Sequence, residues 1–201
     1  MSSCFENHFL YHYYEAKIGA FISLSDLPLD EAEKILDHIR AEGVVFASRR
    51  SKEYMSIRRQ LEEKARKMFI EKGGRPRRLV PHYMTLGECL WLKEWYKEYR
   101  EIRIPLMNFD PKIISFTYGD LFPTMRYQDG KPYRNNIYRL DEILDLVSVY
   151  GYPQEWNKDG KLGPERYIEA QVWDNELIAK YISLKEIDIP GNPQYQVPND
   201  V

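Results

Sequence analysis

The 201-residue chain has only two cysteines and no apolar run long enough to cross a membrane. Cys4 and Cys89 lie far apart and match no spacing of metal ligands, which argues against a structural zinc site. A bilayer span needs roughly 20 consecutive apolar residues, and no stretch approaches that length. Because the N-terminus also lacks a basic start followed by an apolar segment, we expect a soluble cytoplasmic protein with reduced thiols.

The sequence also lacks the glycine motifs of common nucleotide-binding and hydrolytic enzymes. It contains no Gly-x-x-x-x-Gly-Lys, no Gly-x-Gly-x-x-Gly and no Gly-x-Ser-x-Gly, which argues against kinase, Rossmann and esterase functions. Aromatic side chains, in contrast, are abundant, with 16 Tyr, 8 Phe and 4 Trp. Since Tyr and Trp combine a large apolar area with a polar tip, they suit the walls of a binding cleft as well as a core.

Charge is unevenly distributed along the chain. Twelve Lys or Arg and four Glu lie between Arg49 and Arg78, so this segment carries a net +8 while the whole chain carries −2. A solvated helix face is one explanation, but the excess favours contact with a polyanion or an acidic partner. A nucleic acid would be held there through its phosphates, with aromatic rings stacking on unpaired bases. The residues expected to make these contacts are Arg58, Arg59, Arg66, Lys67, Arg75, Arg77 and Arg78.

Hydrophobic periodicity predicts one α+β domain over residues 1–201. Ser25 or Asp26 is expected to cap the first helix, and Gly43 and Gly151 to end two helices. The segment 81–100 is expected to begin as a loop and continue as an aromatic helix, and 120–136 to form a long binding loop. We expect strands at about 9–14, 44–46, 102–106, 113–118 and 166–173, helices at about 29–41, 50–72, 140–150 and 176–182, and a loose C-terminal tail at about 188–201.

The last predicted strand, 166–173, contains the most informative single residue. Acidic residues are disfavoured in the middle of strands, yet Glu169 lies there on a face with aromatic and amide side chains. A carboxylate in such surroundings suits a cleft, where its burial requires a hydrogen-bond donor or a hydroxyl-rich ligand. A solvent-facing strand with Glu169 paired to a Lys would give the same pattern. The face shared with Glu169 carries Tyr167, Gln171 and Trp173.

The order of several short motifs resembles the ADP-ribosyltransferase superfamily, in particular the DarT-type toxins that modify nucleic acid. The motifs are LYHYY at 10–14, a helix ending in glycine at 27–43, VPHYM at 80–84 and RYIEAQVWD at 166–174. The resemblance covers about 9–182, and the order of the motifs is more specific than any one of them. It implies a split antiparallel β-sheet core with flanking helices, into which the basic helix of about 50–78 is inserted.

The resemblance also implies an activity, the transfer of ADP-ribose from NAD to a nucleic acid (DNA or RNA) or a protein. Such an enzyme could be the toxin of a toxin–antitoxin or antiviral defence system. Cleavage of the nicotinamide–ribose bond builds positive charge that a carboxylate can stabilise, and this is the implied role of Glu169. His12 would hold a ribose hydroxyl, and Tyr13, Tyr83 or Tyr118 would stack on nicotinamide. No metal is implied.

Several alternatives remain open at this stage. Ser115-Phe116-Thr117 could be the Ser-x-Thr strand of the arginine–serine–glutamate branch, in which an arginine rather than His12 holds NAD. His82 is a second candidate for the histidine role. Outside the enzymes, the chain could be a nucleic-acid-binding protein without catalytic activity, or a module that binds an acidic protein such as an antitoxin through the basic helix.

Overall fold

Five segments of the chain form one antiparallel β-sheet. The computed structural model describes residues 8–187, so Cys4 and the tail expected at about 188–201 lie outside the described residues. The strands are β1 (Phe9–Glu15), β2 (His82–Leu86), β3 (Tyr99–Pro105), β4 (Ile114–Thr117) and β5 (Ile168–Val172). They are ordered β3-β1-β2-β5-β4 in the sheet, and every neighbouring pair is antiparallel.

Helices connect and cover these strands, which confirms the α+β class. The helices are α1 (Leu29–Glu42), α2 (Tyr54–Glu71), α3 (Leu90–Lys93), α4 (Leu121–Arg126), α5 (Leu140–Tyr150), α6 (Pro153–Trp156) and α7 (Glu176–Ile187). Short 3₁₀ turns lie at Leu24–Asp26, Phe46–Arg49 and Leu106–Asn108. Within residues 8–187, no helix has the length and apolarity of a membrane span.

The pairing between β1 and β2 is short and divides the sheet into two parts. Strand β1 pairs with β3 from Phe9 to Glu15, but with β2 only at Leu10 and Tyr11. Beyond Tyr11 the edges of β1 and β2 are not paired, so groups from elsewhere in the chain can reach the sheet between them. The polar side chains described below gather at this junction.

The two faces of the sheet differ in polarity, because β-strand side chains alternate. The apolar face includes Leu10, Met84, Phe116 and Ala170, and it packs against α5 and α7. The opposite face carries hydroxyl, carboxyl and amide groups, and it is covered by apolar residues of α2 and α4. These polar groups are Thr85, Ser115, Thr117, Glu169 and Gln171, and all of them are buried.

The helix ends follow local sequence rules at the positions where glycine was expected. Gly43 ends α1 with a φ of 67°, and Gly151 ends α5 with a φ of 70°, both in the left-handed range that a Cβ disfavours. At the start of α5, the Glu142 carboxylate accepts a hydrogen bond from the backbone N–H of Arg139 at 2.8 Å. The predicted bounds of α5 are confirmed without change.

Four local predictions were wrong. Residues 44–46 form no strand, because Val44 is 58% exposed and none of the strands within residues 8–187 pairs with this segment. The first helix is not capped by Ser25 or Asp26, which lie in a 3₁₀ turn capped by Ser23 instead. The segment 81–100 holds a central strand, β2, and a single helical turn rather than a loop followed by a helix. The expected long loop at 120–136 contains α4.

Candidate functional site

A cavity of about 280 Å³ lies against the polar face of the sheet, where β1 and β2 stop pairing. This volume is close to the lower limit of small-molecule pockets, roughly 300 Å³. Strands β1, β2 and β5, the first turns of α2 and the start of α4 all contribute to its wall. Its aromatic residues include Tyr11, Tyr13, Tyr54, Tyr83, Phe122 and Tyr167, and its charged residues are Arg50, Arg58, Asp120 and Glu169.

Glu169 is the buried carboxylate of this cavity. Its side chain is 6% exposed, and Oε1 accepts hydrogen bonds from Leu121 N at 3.2 Å and Gln171 Nε2 at 3.1 Å. Burial, together with the nearby charge of Asp120, raises the pKa of Glu169 well above its ordinary value. The alternative of a solvent-facing Glu paired to a Lys across the sheet is therefore wrong.

A line of buried hydrogen bonds fixes the amide that orients Glu169. Gln171 Nε2 also donates to Thr117 Oγ1 at 3.0 Å, and Ser115 Oγ donates to Gln171 Oε1 at 3.0 Å. Trp173 Nε1 donates to Ser115 Oγ at 2.9 Å. Ser115 and Thr117 are fully buried and do not line the cavity, so a direct contact with NAD is incompatible with their position. Their role in the structure is to orient Gln171.

We predict that Ser115→Ala lowers the free energy of unfolding by about 1–3 kcal/mol, because Trp173 Nε1 and Gln171 Oε1 lose their partner in a buried site. Ser148→Ala is the control, since Ser148 is exposed and bonds only the carbonyl of Asp145 within its own helix. That change is expected to have an effect within about 0.5 kcal/mol. Urea denaturation measures both, and equal losses would contradict the role given to Ser115.

Asp120 is a second carboxylate on the same cavity wall. Its Oδ1 accepts from Phe122 N at 2.8 Å, and its Oδ2 accepts from Tyr167 OH at 2.8 Å. Burial and the Asp120 charge raise the pKa of Tyr167, so the phenol stays protonated and donates. Because Leu121 N binds Glu169, consecutive amides at the start of α4 hold the two carboxylates on the same wall.

Arg58 belongs to the cavity wall rather than to a surface patch. Its Nε donates to Glu62 Oε1 at 2.9 Å, and its guanidinium lies 4.8 Å from the centre of the Tyr83 ring. Glu62 is fully buried, and the same oxygen also accepts from Tyr83 OH and Ser25 Oγ, each at 2.8 Å. Glu62 therefore fixes the positions of the Arg58 guanidinium and the Tyr83 ring in the cavity that Glu169 also lines.

Arg50 is the second cation of the cavity. Its guanidinium lies 4.4 Å from the centre of the Tyr54 ring, and the ring of Phe122 stacks on Tyr54 at 5.0 Å. Within residues 8–187, Arg50 forms no ion pair with a carboxylate. An uncompensated guanidinium at a cavity wall is suited to bind an anionic group of a ligand.

His12 lines the cavity, but both of its ring nitrogens are already engaged. Nδ1 donates to the carbonyl of Tyr83 at 3.0 Å, and Nε2 accepts from Phe21 N at 2.9 Å. Burial lowers the pKa of His12 to about 4, which keeps the ring neutral in this arrangement. His12 thus fastens the loop at Phe21, and a ribose hydroxyl would have to displace one of these bonds. His82 also lines the cavity, and its Nε2 lies 2.8 Å from Asn175 Oδ1, but its buried Nδ1 has no hydrogen-bond partner within residues 8–187.

The three tyrosines proposed to stack on nicotinamide occupy different places. Tyr83 and Tyr13 line the cavity, although the Tyr13 hydroxyl accepts a hydrogen bond from Cys89 N at 2.9 Å. Tyr118 does not line it. It is fully buried in the core on the other side of the sheet, where its hydroxyl donates to the carbonyl of Gly151 at 2.8 Å. The assignment of Tyr118 to a stacking role was therefore wrong.

Most of the basic segment is bonded to carbonyls or carboxylates of the protein itself, although Lys67 and Arg77 remain exposed. Arg59 donates to the carbonyl of Leu27, and Arg66 donates to the carbonyls of Arg78 and Pro76. Arg75 is exposed. The remaining members pair with carboxylates, Lys67 with Glu63, Arg77 with Asp174 and Glu176, and Arg78 with Asp26.

Several residues of the cavity were not assigned to it by the sequence. Arg50 and Arg58 belong to a basic run that predicts a surface, although the spacing of Arg58 and Glu62 already favours an i,i+4 pair. Asp120 follows Gly119 and has the pattern of a turn residue. Tyr167 was placed on the same face as Glu169, but no signal pointed to its bond with Asp120.

No group of three or more His, Cys, Asp or Glu suited to a metal occurs within residues 8–187.

No protein-family model, curated protein or solved structure matches the chain. The cavity and its side chains are therefore the basis on which a function is inferred.

Proposed function

We propose that the protein is an NAD-dependent ADP-ribosyltransferase with Glu169 as its catalytic carboxylate. The observation that carries the proposal is a buried carboxylate, held by two hydrogen bonds, on the wall of a cavity that also has aromatic rings and two arginines. NAD offers a partner for each of these groups: a flat cationic ring, ribose hydroxyls and a diphosphate. In this proposal the nicotinamide end of NAD occupies the cavity beside Glu169.

The environment of Glu169 fits the charge changes of this reaction. Burial and the neighbouring Asp120 raise the pKa of Glu169, so its protein surroundings oppose the charged carboxylate. The positive nicotinamide ring would favour ionisation, since an opposite charge nearby stabilises the carboxylate. The carboxylate then faces the ribose carbon, on which positive charge develops as nicotinamide leaves, and a preorganised charge in a dry site is an effective stabiliser. Affinity for NAD is therefore coupled to the ionisation of Glu169.

The fold is compatible with the proposal in one specific respect. The short junction between β1 and β2 divides the sheet into two parts, as expected for a split sheet, and the cavity lies at that junction. The acceptor in the proposal is a nucleic acid or a protein, and growth arrest by a toxin would be one consequence. The rival function, binding through a basic helix alone, has less support because Arg58, Arg66 and Arg78 are largely covered and bonded within the protein.

We predict that Arg50→Gln weakens NAD binding by about 10–100-fold, because a hydrogen bond to a charged group contributes roughly 1.5–3 kcal/mol. Arg49→Gln is the matched control: Arg49 is the neighbouring arginine, is exposed and does not line the cavity. Titration calorimetry with NAD measures both variants. Equal affinities for the two variants would contradict the role of Arg50, and no heat from the wild-type protein would contradict the proposed function itself.

A further inference from the structure

Two carboxylates on one cavity wall have different environments, and this difference suggests a division of roles. Glu169 is buried and bonded to Leu121 N and Gln171. Asp120 is partly exposed, and its two oxygens are bonded to Phe122 N and Tyr167 OH. Two carboxyl groups whose environments differ take up protons differently, and one of them commonly acts as the acid or base while the other does not. The more accessible group can exchange protons with solvent.

We propose that Asp120 is a catalytic residue that takes the proton from the group attacking the ribose, and that Tyr167 is its positioning residue. This inference rests on the proposed transferase function. The acceptor is then a neutral hydroxyl or N–H group, which is a weak nucleophile until its proton is removed. A general base of this kind must lie within hydrogen-bond reach of the attacking group, and Asp120 lines the same cavity as Glu169.

The step balances without a further reactant. The bond from the acceptor oxygen or nitrogen to ribose C1′ forms as the bond from C1′ to the nicotinamide nitrogen breaks. The electron pair of the broken bond goes to the pyridine nitrogen, so nicotinamide leaves as a neutral molecule. The acceptor proton passes to the Asp120 carboxylate and then to water. Glu169 keeps its charge throughout and faces the developing positive charge.

A capping role alone does not account for the arrangement of Asp120. Capping α4 requires only Oδ1, which accepts from Phe122 N. The second oxygen is held by Tyr167, a cavity residue directly before β5 and two positions before Glu169. Since Tyr167 donates a single hydrogen bond to Oδ2, that oxygen keeps a second lone pair for an incoming proton.

The test compares Asp120→Asn with the wild-type full chain, using NAD as donor and water or azide as acceptor. Asn is also a good N-cap, so the variant is expected to keep a thermal midpoint close to that of the wild type. Release of nicotinamide in water is expected to fall by about 10²–10⁴-fold, the usual contribution of a general base. Azide carries no proton that must be removed, so added azide should raise release by the variant more than tenfold while changing the wild-type rate little.

The outcomes separate the inference from the function on which it rests. A wild-type protein that does not bind NAD overturns the proposed transferase. A wild-type protein that cleaves NAD, with an Asn variant that cleaves it equally fast or is not rescued by azide, overturns the role of Asp120 alone. Binding of NAD without release in water also overturns it, since a base facing bound NAD would activate water. Asp120→Ser, a second variant able to cap the helix, provides the same comparison if the Asn variant does not fold.

Discussion

Glu169→Gln is expected to lower nicotinamide release from NAD by at least about 100-fold, a loss typical of removing one preorganised electrostatic group from an active site. The amide has nearly the shape of the carboxylate, and its oxygen can still accept from Leu121 N and Gln171 Nε2. The loss would therefore reflect the missing charge rather than a rearranged cavity. Chromatographic quantification of nicotinamide measures the rate.

The same variant is expected to be more stable than the wild-type protein at neutral pH, by about 1–2 kcal/mol. Burial and Asp120 raise the folded-state pKa of Glu169 above its ordinary value of 4.5. Below pH 4.5 both the folded and unfolded states hold the proton. As the pH rises towards the folded-state pKa, only the unfolded chain releases it, so the free energy of unfolding falls. Gln does not titrate, and its variant should lack this decrease.

Glu31→Gln is the control for both measurements, because Glu31 is an exposed residue of α1 that does not line the cavity. The Glu31→Gln protein should cleave NAD at the wild-type rate, and its stability should depend on pH as that of the wild type does. The prediction is contradicted if the Glu169→Gln protein is less stable than the wild type, or if its free energy of unfolding falls with rising pH as that of the wild type does. Either result would show that the surroundings of Glu169 do not destabilise its charged form.

Glu62→Ala is expected to destabilise the fold by about 3–5 kcal/mol, the usual loss when one partner of a buried ion pair is removed. Arg58 would then remain buried without its carboxylate. The hydroxyls of Tyr83 and Ser25 would lose their acceptor at the same time. Chemical denaturation should report the loss as a lower midpoint with an unchanged slope.

The neighbouring residue provides a matched control for this prediction. Glu63 pairs with Lys67 on the surface of the same helix, with both side chains about two-thirds exposed. Because exposed ion pairs contribute little, Glu63→Ala should change the free energy of unfolding far less than Glu62→Ala does. If the two variants lost the same stability, the buried hydrogen bonds around Glu62 would stabilise the fold no more than the surface ion pair of Glu63 does.

Parts of the fold with strong local signals could be predicted from the sequence. The helix α5 has apolar residues at helical spacing and a glycine directly after it, and its bounds were correct. The alternation of β5 predicted that Gln171 shares a face with Glu169, and the sheet register confirms it. These elements depend on residues close to one another in the chain, so the sequence alone determines them.

Strand β2 could not be predicted in the same way. Its five residues lie between Pro81 and Gly87, which favours a loop, and three of them are polar or amphipathic. The strand exists because it pairs with β5 along its full length and with β1 at one end, and such pairing partners are distant in sequence. Val44–Phe46 shows the opposite case, since three apolar residues with no partner strand lie exposed or form a turn.

The candidate site was predictable at its centre but not at its edges. Glu169 was unusual for a strand, and that local conflict pointed to a cavity. Arg58 and Asp120 have no such conflict, because arginine is expected on a basic helix and aspartate after a glycine. Only the packing of α2 and α4 onto the sheet brings them beside Glu169.

The most direct test of the account is the release of nicotinamide when the purified wild-type protein is incubated with NAD. We predict measurable release that Glu169→Gln nearly abolishes and Glu31→Gln leaves unchanged, with all three proteins folded by circular dichroism. Absence of both NAD binding and nicotinamide release by the wild-type protein, or equal release by all three proteins, would contradict the assignment of this cavity to NAD.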